Sequence, residues 1–135
     1  MTNLIDKVSD LLPHLEKNGR VFLFGLFERD DAPNKWDVVV SSDLGDRDRR
    51  ELVRELSKHL VPALSRDELQ SISRIAVIPS QEPAVLALTK SVQVLAGRTE
   101  LQNCDFMGLP VKRAFLFRSV IPIEDREPHV LTSAS

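Results

Sequence analysis

The sequence predicts an α+β domain on a mixed, five-stranded sheet, and three observations carry that expectation. Apolar residues at helical spacing open the chain (Leu4, Ile5, Val8, Leu11, Leu12, Leu15). Runs with strand character recur at 21–27, 36–40, 75–78, 99–106 and 111–120. Helical patterns separate the second strand from the third and the third from the fourth, giving the order α-β-β-α-β-α-β-β with about three helices. A chain of 135 residues fits a single domain. That domain is expected over 1–120, with the Pro- and polar-rich stretch 121–135 as a flexible tail.

The first helix is expected to take its cap from Thr2 or Asn3 and its stop from Gly19. Pro13 removes one backbone donor from the pattern, so a kink or two short helices are expected there. Residues 21–27 are apolar on both alternating faces, which suits a central strand covered on both sides. Turn formers over 29–35 lead into Trp36, Asp37 and three valines, the antiparallel partner of the first strand. A second helix opens at 43–46 and turns Leu52, Val53, Leu56, Leu60 and Leu64 inward, with Pro62 limiting or bending its end. Ser65 and Glu68 fit the S-x-x-E capping box of a short helical turn.

The run 75–78 is apolar throughout and is also expected at the centre of the sheet. Pro83 suits the first turn of a third helix behind a cap at Ser80 or Gln81. That helix turns Val85, Leu88, Val92 and Leu95 inward and stops at Gly97. A turn at 107–110 joins the last two strands, and Val111, Phe115 and Phe117 are expected on one face. Strand, helix, strand over 36–78 implies a parallel crossover. Hairpins at both ends then make the sheet mixed.

Composition narrows the function classes. Eighteen basic and 20 acidic residues leave a net charge of −2, so the whole-molecule field does not favour nucleic acid, which is not expected as a partner. Six Phe, one Trp and no Tyr argue against a base-stacking platform. The single cysteine, Cys104, rules out an intrachain disulfide and a CxxC metal site, and indicates a reducing compartment, the cytoplasm. Residues 1–6 lack the pattern of a signal peptide, and no apolar run approaches the ~20 residues that span a bilayer, so no membrane association is expected.

The stretch from Leu23 to Val40 contains Leu23-Phe24-Gly25-Leu26 on one strand and Asp37 on the next. Over roughly the first 80 residues it resembles the core of minimal nucleotidyltransferases. In that family a strand ends in Leu-Phe-Gly-Ser, and the next strand supplies Asp-x-Asp. The resemblance implies that Gly25 lets backbone approach nucleotide phosphate, and that aspartates hold two Mg²⁺ ions. Leu26 stands where the serine belongs, and Asp37 matches only one aspartate, the other position being Lys35 or Val39. One carboxylate does not gather two divalent cations. Asp30, Asp31 or Asp43 would have to supply the rest.

Across its length the chain also resembles a family of small bacterial proteins without an assigned activity, through 31–37, Ser73-Arg74-Ile75 and Phe106-Met107-Gly108-Leu109.

The candidate ligand-binding residues are therefore Gly25, Asp30, Asp31, Trp36 and Asp37, with no catalytic or metal-ligating residue assigned. Acids at a hairpin tip form a solvated turn more often than a cation site. A tryptophan at a strand entrance packs more often than it meets a ligand. Cys104 would need a base from His14, His59 or His129, none of which shares a local motif with it. The mixed-sign run 46–51 with Arg54 reads as a solvated helix face, Arg47, Arg49, Arg50 and Arg54 being the basic residues a nucleic-acid surface would use. Lys112, Arg113 and Arg118 would guard the last strand against edge pairing if it is an edge.

The expectation is a non-enzymatic binding domain that self-associates as a homodimer and meets a partner protein, with no cofactor. The alternative is Mg²⁺-dependent nucleotidyl or phosphoryl transfer through Asp37, Asp30 or Asp31, and Gly25.

Overall fold

A computed structural model of the chain describes residues 3–122. Its elements are α1 (Leu4–Ser9), α2 (Leu12–Glu16), β1 (Val21–Arg29), β2 (Trp36–Ser42), α3 (Asp43–Arg47), α4 (Arg49–Ala63), α5 (Arg66–Gln70), β3 (Ile72–Val77), α6 (Pro83–Ser91), β4 (Thr99–Phe106) and β5 (Leu109–Ser119). The predicted α+β class holds: five strands form one mixed sheet in the order β3-β2-β1-β5-β4. β1 is antiparallel to β2 and β5, β2 and β3 run parallel, and β4 is antiparallel to β5.

The helical segments are more broken than expected, for local reasons. Pro13 falls in the first turn of α2, where its missing N–H costs nothing, so the first helix divides at Asp10 and Leu11. Asn3 caps α1 by accepting from Asp6 N at 3.0 Å, while Thr2 lies outside the described residues. Ser42 caps α3, and Asp48 then ends α3 and caps α4 by accepting from Glu51 N. Both arms of the Ser65–Glu68 capping box form at the start of α5. The cap of α6 is Glu82 rather than Ser80 or Gln81. Ser80 is taken up by Asp46, which accepts from its backbone N at 2.9 Å and from its hydroxyl at 2.5 Å.

Two expectations about the sheet are corrected, and the edge condition set for the last strand is not met. β3 lies at an edge, not at the centre. Its side chains meet apolar residues on both faces, and a strand so covered reads like a central one whatever lies beside its backbone. β5 is interior, so Arg113 and Arg118 do not guard an edge. Arg113 instead pairs with Glu28 and Arg118 with Glu16. Finally, Val111 packs on the opposite face from Phe115 and Phe117, because the β1–β5 register skips Lys112 between Glu28 and Arg29.

Two apolar layers sandwich the sheet. On one face α1, α2 and α4 bring Val8, Leu11, Leu15, Leu52, Leu56 and Leu60 against Phe24, Leu26, Val38, Val40 and Phe117. On the other face Val85 of the nine-residue α6 packs with Leu23, Val39, Ala114 and Leu116. Among the described residues this single short helix leaves part of that second face uncovered.

No helix among the described residues is long and apolar enough to cross a membrane. The proposed tail lies outside the described residues, apart from Ile121 and Pro122.

Candidate functional site: an arginine-lined cleft

The uncovered part of the second face is a cleft of about 350 Å³, within the size range of ligand sites. Its floor is apolar, built from Phe27 of β1, Val39 of β2 and Ala76 of β3. The β4–β5 hairpin forms one wall with Phe106, Met107, Leu109 and Val111. Arg29, Arg49 and Arg74 supply three guanidinium groups to the lining, against the single carboxylate of Asp37. A chain of net charge −2 thus concentrates positive charge at this spot.

Asp37 organises the arginines. Its residue is only 3% exposed, and a buried carboxylate requires compensation. Arg74, its register partner on β3, donates from Nε to Oδ2 at 3.1 Å. Arg29 Nε lies 3.0 Å from the same oxygen, though its N–H is not aimed for a hydrogen bond, so that contact is one of charge. Arg29 also reaches the exposed Asp31 at 3.2 Å. Arg49 has no hydrogen-bond or ion-pair partner among the described residues. One buried acid therefore fixes two guanidinium groups, and the lining keeps an excess of positive charge. Guanidinium groups held this way suit carboxylate or phosphate oxygens.

The turn of the β4–β5 hairpin adds a second oddity. Met107 and Gly108 both have positive φ (54 and 78) between the paired Phe106 and Leu109, a two-residue turn that favours Asn, Asp or Gly at both positions. A methionine there is strained, and it is 47% exposed at the rim of the cleft. Local rules broken in this way concentrate at working surfaces.

Of the five candidates read from the sequence, only Asp37 lines the cleft. Asp31 joins it indirectly through Arg29, and Asp30 is exposed at the β1–β2 turn. Trp36 is buried on the opposite face, 5.7 Å from the Phe115 ring and 5.1 Å from the Arg113 guanidinium. Gly25 lies in the middle of β1, where an added Cβ would sit 2.5 Å from Phe115 O; close strand approach accounts for the glycine.

The donor set does not fit a pair of magnesium ions. The carboxylate of Asp37 is engaged by two guanidinium groups, and Asp31 is paired with one of them. Among the described residues no three His, Cys, Asp or Glu side chains gather as a metal site.

Other reactive groups lie elsewhere. Cys104 is half-buried beside the second apolar layer, and burial pushes its thiol up from the ordinary value. His14 and His59 stack with ring centroids 4.2 Å apart and join α2 to α4, a pairing their sequence distance hides; His129 lies outside the described residues. Glu28, 1% exposed, accepts from Asn34 N at 2.7 Å and from Arg113, closing the β1–β2 hairpin. Arg29, Arg74 and Met107 were not among the candidate ligand-binding residues, and Arg49 entered only with the basic residues of a helix face. Only Met107, apolar beside a glycine at a turn, carried a local signal.

No family model, curated protein or solved structure gives a significant match to this chain.

Proposed function

We propose that the chain is a non-enzymatic binding domain of the cytoplasm whose working surface is the arginine-lined cleft. Its ligand pairs an anionic group with an apolar body. The carrying observation is the buried Asp37 holding Arg29 and Arg74 at the edge of an apolar floor. Charge in excess of the local carboxylate gives attraction and orientation, and the floor with the Met107 rim gives apolar burial.

An amide NMR titration with phenyl phosphate, using phenol as the uncharged control, tests this. Shifts at Arg74, Ala76, Phe106 and Met107 with phenyl phosphate, lost in Arg74→Glu, are expected. Absence of shifts at millimolar phenyl phosphate overturns the reading.

Self-association is a second part of the proposal, favoured by the outer edge of β4, which no strand among the described residues covers. Light scattering after size exclusion is expected to give twice the 15.2 kDa of the chain; a monomer mass at micromolar concentration contradicts it.

A further inference from the structure

The free edge beside the cleft identifies the kind of partner, an inference that rests on the cleft being the working site. Among the described residues β3 ends the sheet on this side. Ile78 donates its N–H inward to Val40 O at 2.9 Å, and Val40 is in register with Val77. Alternation in a parallel ladder then turns the N–H and C=O of Ile75 and Val77 outward. These groups have no partner among the described residues. An edge of this kind is a template for another strand.

Two cations flank the edge. Arg74 stands on its cleft side. Arg49 begins α4, which packs on the opposite face, yet it lines the same cleft, so it reaches round the end of β3. Arg74 gives only its Nε to Asp37, and Arg49 is unpaired among the described residues.

We infer that the outer edge of β3 takes up an extended segment of a partner protein as an additional strand, with an acidic side chain of that segment seated between Arg74 and Arg49. Backbone bonds to Ile75 and Val77 supply the register, the carboxylate supplies selectivity, and the next side chain on that face enters the cleft toward Met107. A second copy of this chain fits worse. Pairing β3 with its own twofold mate gathers two sets of Arg49 and Arg74, and like charges so placed repel. Adding the β4 edge of another copy instead is a head-to-tail contact that leaves a further β3 edge open and runs on into a filament.

A display library of ~10-residue peptides, long enough to form one added strand, selected on the immobilised full chain, supplies the probe. Enriched peptides are expected to alternate β-branched or aromatic residues with polar ones and to carry Asp or Glu. Binding of the best peptide slows hydrogen exchange at the Ile75 and Val77 amides. Arg74→Glu weakens it roughly tenfold or more. Ile75→Pro removes an outward N–H, a change edge strands tolerate, and abolishes binding; should that variant fail to fold, hydrogen exchange on the unaltered chain decides. No enriched peptide, enriched peptides without acids, or unchanged exchange at Ile75 and Val77 each overturns strand addition. Phenyl phosphate still shifting Arg74 and Met107 would then leave the cleft reading standing, whereas silence from both probes removes the two together.

Discussion

Asp37 and Arg74 stand opposite one another on the parallel strands β2 and β3, and their side chains meet at 3.1 Å on the sheet face that α6 leaves bare. The contact joins an almost fully buried acid to a base that is half in solvent, with Arg29 closing on the same oxygen. An acid so placed supports its neighbours more than it is supported by them: without it, two guanidinium groups would crowd a low-dielectric floor.

Asp37→Asn is therefore expected to lower stability by about 2 kcal/mol, below the full cost of breaking a buried pair because Arg74 can turn to water. Urea denaturation measures the loss. A flat thermal-shift response of the parent chain to nucleoside triphosphates with Mg²⁺ should accompany it, since ligand binding raises apparent stability by mass action. A Mg²⁺-dependent stabilisation abolished in Asp37→Asn would instead support nucleotidyl transfer.

Gly25→Ala should cost more than its single methyl suggests. The new Cβ meets a backbone oxygen at 2.5 Å in the centre of the sheet, where neither strand can give way easily. A loss of about 2–3 kcal/mol is expected, typical of overpacking, and a denaturation midpoint unchanged from the parent would contradict this account of the glycine.

Met107→Asn separates stability from binding. Asparagine suits the positive φ of 54, so the variant should gain roughly 0.5–1 kcal/mol. It also removes the apolar rim of the cleft, so phenyl phosphate and peptide affinity should fall. Thermal melts and the NMR titration, run on one sample, check both signs.

Glu68 ties α5 to α1 and gives the fold an acid-sensitive contact. The Lys7 ammonium at 2.7 Å, followed by the backbone N–H of Ser65, holds its carboxyl below the usual glutamate range. A depressed carboxyl contributes stability above its unfolded pKa and loses it as pH falls through the folded value. Urea midpoints taken from neutral pH downward should thus fall less steeply in Glu68→Gln than in the parent.

The capping box Ser65–Glu68, the split at Pro13 and the strand at 99–106 were legible because four to eight neighbouring residues decide them. The place of β3 was not, since burial of a strand's faces is written in its side chains while its lateral neighbours are not. The cleft was half legible. Asp37 was singled out through a pattern of paired acids, but its companions are arginines, brought from 8 and 37 positions away by a register that shifts between Trp36 and Asp37. His14 and His59, kept apart by 45 positions, likewise meet only because α2 and α4 share one face of the sheet.

The extra residue at Lys112 sets the parity of everything beyond it in the hairpin. Were Lys112 an ordinary pleated position, Val111 and Leu109 would rotate to the Trp36 side, and the tip of the ribbon would deliver its side chains into the helical layer. Straightening the strand at that one residue would thus erase one bank of the cleft while leaving every side chain that forms it in the chain.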